Sequence, residues 1–146
     1  MPDDRRSAHR TQWAAQFAVA SELCKRDYRV ALTMGNHPMV DLMVSSPTGK
    51  LFSIDVKGLY KKNFWGVRKR GLTENLFYIF AFVPDNATNQ FYILTQGQVN
   101  DEIENGFARA RARAKAKNKS DDKAELFPGL EWKFVSQFNK WDVLPK

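Results

Sequence analysis

Two aspartates and a lysine carry the clearest chemistry in this sequence. Asp41 stands fourteen positions before Asp55, and Lys57 follows Asp55 by two. Both aspartates belong to the stretch 39–57, MVDLMVSSPTGKLFSIDVK. Its halves alternate apolar and polar, and Ser46-Pro47-Thr48-Gly49 interrupts them with turn-forming residues. A hairpin centred on Thr48 sets Asp41 directly opposite Asp55. Opposed residues on a hairpin have Cβ atoms roughly 5 Å apart. Carboxylates that close repel unless one is protonated or a cation lies between them. Lys57, on the same face as Asp55, offsets part of that repulsion, and a divalent metal offsets more. Two carboxylates are hard oxygen donors that suit Mg2+ or Mn2+. One cysteine and two distant histidines do not make a zinc cage. Opposed carboxyls at this spacing also suit a retaining glycosidase, but the neighbouring lysine, the small size and the basic segments described below weigh against it.

The elements around the triad follow from pattern. One hairpin face carries Val40, Leu42, Val44, Phe52, Ile54 and Val56, which marks it as the core side. Upstream, residues 10–26 have helical period, with Trp13, Phe17, Ala20 and Cys24 as the expected apolar stripe and the Glu22/Arg26 pair on the solvated face. Cys24 is expected to be buried there. Gln16 lies beside the stripe and is expected to point inward. Residues 1–9 read as a frayed polar start and 28–34 as a first strand. His37, in the Gly35-Asn36-His37-Pro38 connector, reads as a turn histidine next to the site. Downstream, 76–83 (LFYIFAFV) is a strand buried on both faces, and Gln90 to Thr95 returns as its hairpin partner. A helix follows over 98–117, with Val99, Ile103 and Phe107 at its core positions and acids ahead of cations, which complements the helix dipole. Between the hairpin and the buried strand, 58–75 is irregular, with a short strand at 64–67 and Trp65 covering the sheet edge. The apolar tail from Leu130 to Leu144 must dock on the body.

Charge is segregated. The chain has 146 residues and a net charge of +7. The segment 57–70 holds Lys57, Lys61, Lys62, Arg68, Lys69 and Arg70, and 107–119 holds Arg109, Arg111, Arg113, Lys115, Lys117 and Lys119, with no acid in either. Such segregation predicts a polyanionic partner, nucleic acid first. Tyr60, Phe64 and Trp65 among the first set of cations suit backbone and base contacts. In the second segment, cations alternating with alanine spare no helical face. It is expected to lie free of the body and to contact phosphates without reading bases.

Asp41 followed by Asp55-Val56-Lys57 on the next strand, behind a helix and across a hairpin, resembles the PD-(D/E)XK nuclease superfamily of restriction endonucleases and Holliday-junction resolvases. Gly35 to Leu42 (GNHPMVDL) is similar to its small stand-alone members, as is the Trp141-Asp142 pair near the C-terminus. One departure is visible, in that Pro38 stands three positions before the aspartate and not next to it. The resemblance implies an α/β fold of one domain over 1–146, a restriction endonuclease-like core with a mixed central sheet of about five strands flanked by helices. It implies a Mg2+- or Mn2+-dependent endonuclease acting on DNA, with Asp41, Asp55 and the Val56 carbonyl as metal ligands and Lys57 acting on the attacking water or the developing charge. The family often places a Glu or Gln of the first helix toward the metal, and Gln16 matches that position better than Glu22. Gln16 equally suits a hydrogen bond to backbone. Lys61, Lys62, Arg68, Lys69, Arg70, Arg109, Arg111 and Arg113 are the expected DNA contacts. A homodimer is consistent with cutting both strands. The alternative is a catalytically inactive relative that binds nucleic acid or serves as an interaction module, since Gln16 in place of Glu leaves the metal site one charge weaker.

The composition, 43% hydrophobic and 13% aromatic, is that of a globular domain. No run reaches the length of a membrane span, and the first thirty residues contain no signal-peptide core. With a lone cysteine, this predicts a cytoplasmic protein.

Overall fold

A computed structural model describes residues 6–120 and 124–146. In chain order the elements are helix α1 (Ala8–Lys25), strands β1 (Arg29–Leu32), β2 (Leu42–Ser45), β3 (Leu51–Leu59), β4 (Phe64–Gly66), β5 (Leu76–Phe82) and β6 (Gln90–Thr95), helix α2 (Gln96–Ala116) and strand β7 (Gly129–Glu131). Two short 3₁₀ turns, Trp132–Phe134 and Trp141–Val143, complete the tail. The chain is an α/β protein built on a mixed five-stranded sheet in the order β1-β2-β3-β5-β6. All neighbours are antiparallel except the central pair β3–β5. A second, two-stranded ribbon pairs β4 with β7. No helix among the described residues is long and apolar enough to cross a membrane.

Each sheet face has its own core. On the first, α1 packs Ala15, Val19 and Leu23 against Leu42, Val44, Phe52, Ile54, Val56, Ile79 and Ile93. On the second, α2 and the β4–β7 ribbon cover Leu76, Tyr78, Phe80, Tyr92 and Leu94 with Val99, Ile103, Trp65 and Leu130. β5 therefore alternates between two buried environments, which is why its sequence is apolar throughout. Five of the six expected hairpin core residues lie in the first core; Val40 instead packs at the margin of the second. Trp65 does not merely cover an edge. Its indole is fully buried in edge-on contact with Phe80 and Tyr92.

The β2–β3 turn has the expected register. Leu42 pairs with Ile54 and Ser45 with Leu51. Gly49, at φ +89°, donates its N–H to the Ser46 carbonyl, and Ser46 and Lys50 then close the loop. That is a hairpin turn with a left-handed glycine, a conformation a side chain would strain.

Two elements depart from expectation. α1 has the expected period but the wrong phase. Its buried residues are Thr11, Ala15, Gln16, Val19 and Leu23, while Phe17 and Cys24 are exposed. The inward stripe 12/16/19/23 is the expected stripe 13/17/20/24 turned by one residue. Trp13 and Phe17 stack on each other on the outer flank, which satisfies the rings without burying them. The helix also begins earlier, at Ala8, because the Ser7 hydroxyl caps it by accepting the Arg10 N–H; Met1 to Arg5 lie outside the described residues.

The second departure is in the basic segment after Phe107, which forms the expected end of the helix but is not wholly free of the body. Ala114 is buried. The helix closes on Asn118, at φ +57°, with the Lys119 N–H donating to the Ala114 carbonyl and the Asn118 N–H to that of Lys115. Those are the paired bonds of a Schellman motif. Alanine accounts for the error, because the alternation lets one narrow Ala110/Ala114 strip face inward while the cations fan outward. In the tail, Leu130, Val135, Trp141 and Leu144 dock as expected, whereas Phe134 and Phe138 stay about half exposed. The charged loop at 120–125 lies partly outside the described residues.

Candidate active site

β3 positions the centre. Asp55 and Lys57 share one face of the strand, and that face is only partly covered because the chain crosses it as an irregular loop. β3 and β5 are parallel, so a connection must pass over the sheet, usually as a helix. Here residues 60–75 make the crossing with β4 alone, as the lack of a helical pattern predicts. The loop brings Arg68, Lys69 and Arg70 back over Asp55. Together with Met39, Lys57, Gly66, Val67, Tyr78 and Pro128, they line a cleft of about 620 Å3.

Asp55 is 5% exposed. Lys57 Nζ lies 3.1 Å from Oδ1, and an Arg70 terminal nitrogen lies 3.4 Å from Oδ2. The lysine approaches off the hydrogen-bonding angle, so the buried Oδ1 has no hydrogen-bond donor. Burial pushes the Asp55 carboxyl above its ordinary value; Lys57 and Arg70 pull it down, and the nearby Asp41 charge adds to the rise.

Asp41 sits where the β2–β3 ladder breaks. Its N–H still donates to the Ile54 carbonyl and its carbonyl accepts the Thr33 N–H. Its carboxylate then replaces backbone as partner: Oδ2 accepts the Val56 N–H at 2.7 Å. Burial raises this carboxyl as well, against that hydrogen bond and the Lys57 charge.

α1 supplies two amides. Gln16 Nε2 donates to Asp41 Oδ1 at 3.4 Å, so this side chain points inward and meets a carboxylate, not backbone. Gln12 Nε2 donates to the Val56 carbonyl at 2.7 Å, and it is Gln12 that binds backbone. Sequence reasoning missed Gln12, although its i,i+4 spacing from Gln16 on the inward stripe was the available signal. Gly58 permits both contacts. A Cβ there would lie 2.7 Å from the Ala15 Cβ and 3.1 Å from the Thr11 carbonyl, so only glycine lets α1 settle on β3 this closely.

The remaining expected site residues are dispersed. Lys61 and Lys62 do not line the cleft; their ammonium groups lie over Tyr60 and over Phe82 and Trp132. Arg109 is paired with Glu102 at 2.7 Å and lies 3.8 Å from the Phe134 ring centroid, so it is not a free cation. Arg111 and Arg113 are exposed. His37 is an exposed turn residue that accepts the Met39 N–H.

Among the described residues no three His, Cys, Asp or Glu side chains cluster. The donors gathered here are the Asp41 and Asp55 carboxylates and the Val56 carbonyl, which keeps one lone pair beyond the Gln12 bond. Their chemistry fits a hard divalent cation, and Asp55 Oδ1, which has the Lys57 ammonium at 3.1 Å but no hydrogen bond of good geometry, is the atom such a cation would serve. No protein-family model, curated protein or solved structure matches this chain.

Proposed function

We propose that this chain is a metal-dependent endonuclease that hydrolyses phosphodiester bonds in DNA, on a core of the restriction endonuclease-like kind. The observation that carries the reading is the ion pair of Asp55 and Lys57 at the floor of a cleft walled by Arg68, Lys69 and Arg70, with the Asp41 carboxylate beside it on the Val56 N–H. Anionic ligands beneath a cationic wall suit a phosphate that must be both held and attacked.

Asp41, Asp55 and the Val56 carbonyl would hold Mg2+ or Mn2+. When bound, such an ion polarises the phosphate and lowers the pKa of a water. The chain's own groups do the rest. Gln16 fixes the Asp41 carboxylate and Gln12 the Val56 carbonyl, so neither ligand has to reorganise. The Lys57 ammonium, one strand period from Asp55, stabilises negative charge as it grows on the phosphate. Arg68 and Lys69 hold flanking phosphates and set the position of the strand without reading bases. Hydrolysis adds water across one P–O bond and leaves a phosphate monoester and a hydroxyl. The test is cleavage of circular DNA with Mg2+ and with EDTA. Metal-dependent nicking that Asp55→Asn removes supports the reading, and DNA left intact under both conditions refutes it.

One observation favours a second reading, a binding module without turnover. Asp55 already has two cationic partners, Lys57 and Arg70, so its charge is balanced within the protein. In that case the chain binds DNA equally with and without Mg2+ and cuts it in neither.

A further inference from the structure

Arg70 is held in an unusual way. Its side chain is 19% exposed, and a single terminal nitrogen serves two acceptors, Asp55 Oδ2 and the Met39 carbonyl, each at 3.4 Å. Its Nε is buried without a partner. A guanidinium binds carboxylate or phosphate best through two parallel N–H donors, and here that fork is unused. The backbone behind it is fixed. Asn100 Nδ2 donates to the Arg70 carbonyl at 3.0 Å, Gln96 Nε2 donates to the Gly71 carbonyl at 2.8 Å, and Gln96 Oε1 accepts the Thr73 N–H at 2.6 Å. Helix α2 thus clamps residues 70–73 through its first turns, while the guanidinium rests loosely 5.3 Å from the Tyr78 ring centroid.

We propose that Arg70 is an exchangeable counter-cation: it neutralises Asp55 in the free protein and transfers to a DNA phosphate as a divalent ion takes its place, so that metal and DNA promote each other's binding. This rests on the nuclease reading above. The physical need is at Asp55. A carboxylate this buried is costly to leave charged without compensation, and Lys57 at 3.1 Å engages only one of its two oxygens. A divalent ion at Asp55 repels the guanidinium beside it, and a phosphate in the cleft offers the unused fork two oxygens. The clamped backbone keeps Arg70 within reach of both anions, so the exchange needs only side-chain rotation. Linkage makes the effect reciprocal. Metal alone must displace Arg70 without compensation, and DNA alone must draw it from Asp55.

The test measures Mn2+ affinity by titration calorimetry on the whole chain, alone and with a phosphorothioate duplex that resists hydrolysis. For the wild type, the duplex should tighten Mn2+ about fivefold or more, the lower end of ordinary coupling. Arg70→Gln should tighten Mn2+ by a similar factor without DNA, and the duplex should then add less than about twofold. Arg70→Met, which keeps the straight stem against Tyr78 without the charge, should behave alike and decides the matter if Arg70→Gln does not fold. A wild-type Mn2+ affinity indifferent to the duplex overturns the proposal. So does a variant that binds Mn2+ no more tightly than the wild type, or one that keeps the full duplex effect. Failure of the wild type to bind Mn2+ at all removes the nuclease reading itself, a different result from binding without coupling.

Discussion

Asp41 and Asp55 are costly residues for the folded chain, and their cost has a sign that can be measured. Both carboxyls are raised above their ordinary value of 3.8, chiefly by burial. A raised carboxyl binds its proton more tightly folded than unfolded. Its stabilising effect is present below the unfolded pKa and is lost as pH rises through the folded one. At neutral pH both residues oppose folding. Asp41→Asn and Asp55→Asn should therefore raise the melting temperature at pH 7, by about 2–4 °C for each kcal/mol relieved in a chain of this size. The gain should shrink as pH falls through the raised folded values toward the ordinary carboxylate value, below which the wild-type side chains are neutral in both states. Thermal melts from pH 3 to 8 check this; a gain that grows toward acid pH would contradict it. Lys57→Ala should lower turnover by about 10²-fold or more with little change in DNA affinity, if the ammonium acts on the transition state. Affinity and turnover measured together decide, and an equal loss in both would make Lys57 a plain phosphate contact. The nearness of Asp41, Asp55 and Lys57 was legible because strand alternation and one turn glycine set the β2–β3 register, but the ladder ends at Leu42–Ile54, one residue short of the expected Asp41–Asp55 pair. The raised carboxyls were foreseen only as repulsion, whereas burial is the larger cause, and burial depends on a crossing loop that has no pattern.

The helix and the strand meet at one glycine. α1 touches β3 where Gly58 has no side chain, and that contact delivers Gln12 and Gln16 to the site. Gly58→Ala must push α1 outward, since Ala15 and the Thr11 backbone cannot yield as a flexible side chain would. The expected cost is about 1–3 kcal/mol of stability, with weaker metal binding because both amides withdraw. Denaturant unfolding and Mn2+ titration check the two parts, and a variant with unchanged metal affinity would separate the amides from the site. The period of α1 was readable from the sequence but its phase was not. Trp13, Phe17, Ala20 and Cys24 form as good an apolar stripe as the true one. What decides is shape at the sheet, where small Ala15 fits over Gly58 and no aromatic ring would. The same holds for α2, whose basic end was readable as helix but not as packed, because only the fold shows Ala114 facing inward and Asn118 closing the helix.

At the scale of the whole molecule, cations are sorted by what surrounds them and not by where they cluster in sequence. Arg68 lines the cleft, as does Lys69, whose Nζ also lies 3.1 Å from Glu104 Oε1 near the surface, while Arg109 is tied to Glu102 and Phe134. Each phosphate neutralised contributes about 0.9 to the slope of log affinity against log salt. Replacing Arg68 and Lys69 with Gln should flatten that slope by roughly 1–2 units and weaken all DNA sequences alike. Replacing Arg109 should change the slope little and instead loosen the end of α2. Equal slopes for the cleft variant and the wild type would move the DNA surface elsewhere. The five-stranded sheet was legible almost strand by strand, because each strand has its own apolar signature. Of the two-stranded ribbon only β4 was; β7 and the pairing were not, since the strands are three residues each and lie far apart in sequence.

Whether the cleft cuts DNA is decided by cleavage itself. End-labelled duplexes, single strands, flaps and four-way junctions would be incubated with excess wild-type protein or Asp55→Asn, in Mg2+ and in EDTA. The wild type should yield products in Mg2+ on at least one substrate and none in EDTA, and Asp55→Asn should yield none while still binding the same DNA. Products from Asp55→Asn at the wild-type rate, or binding without cleavage on every substrate in Mg2+, would contradict the nuclease reading.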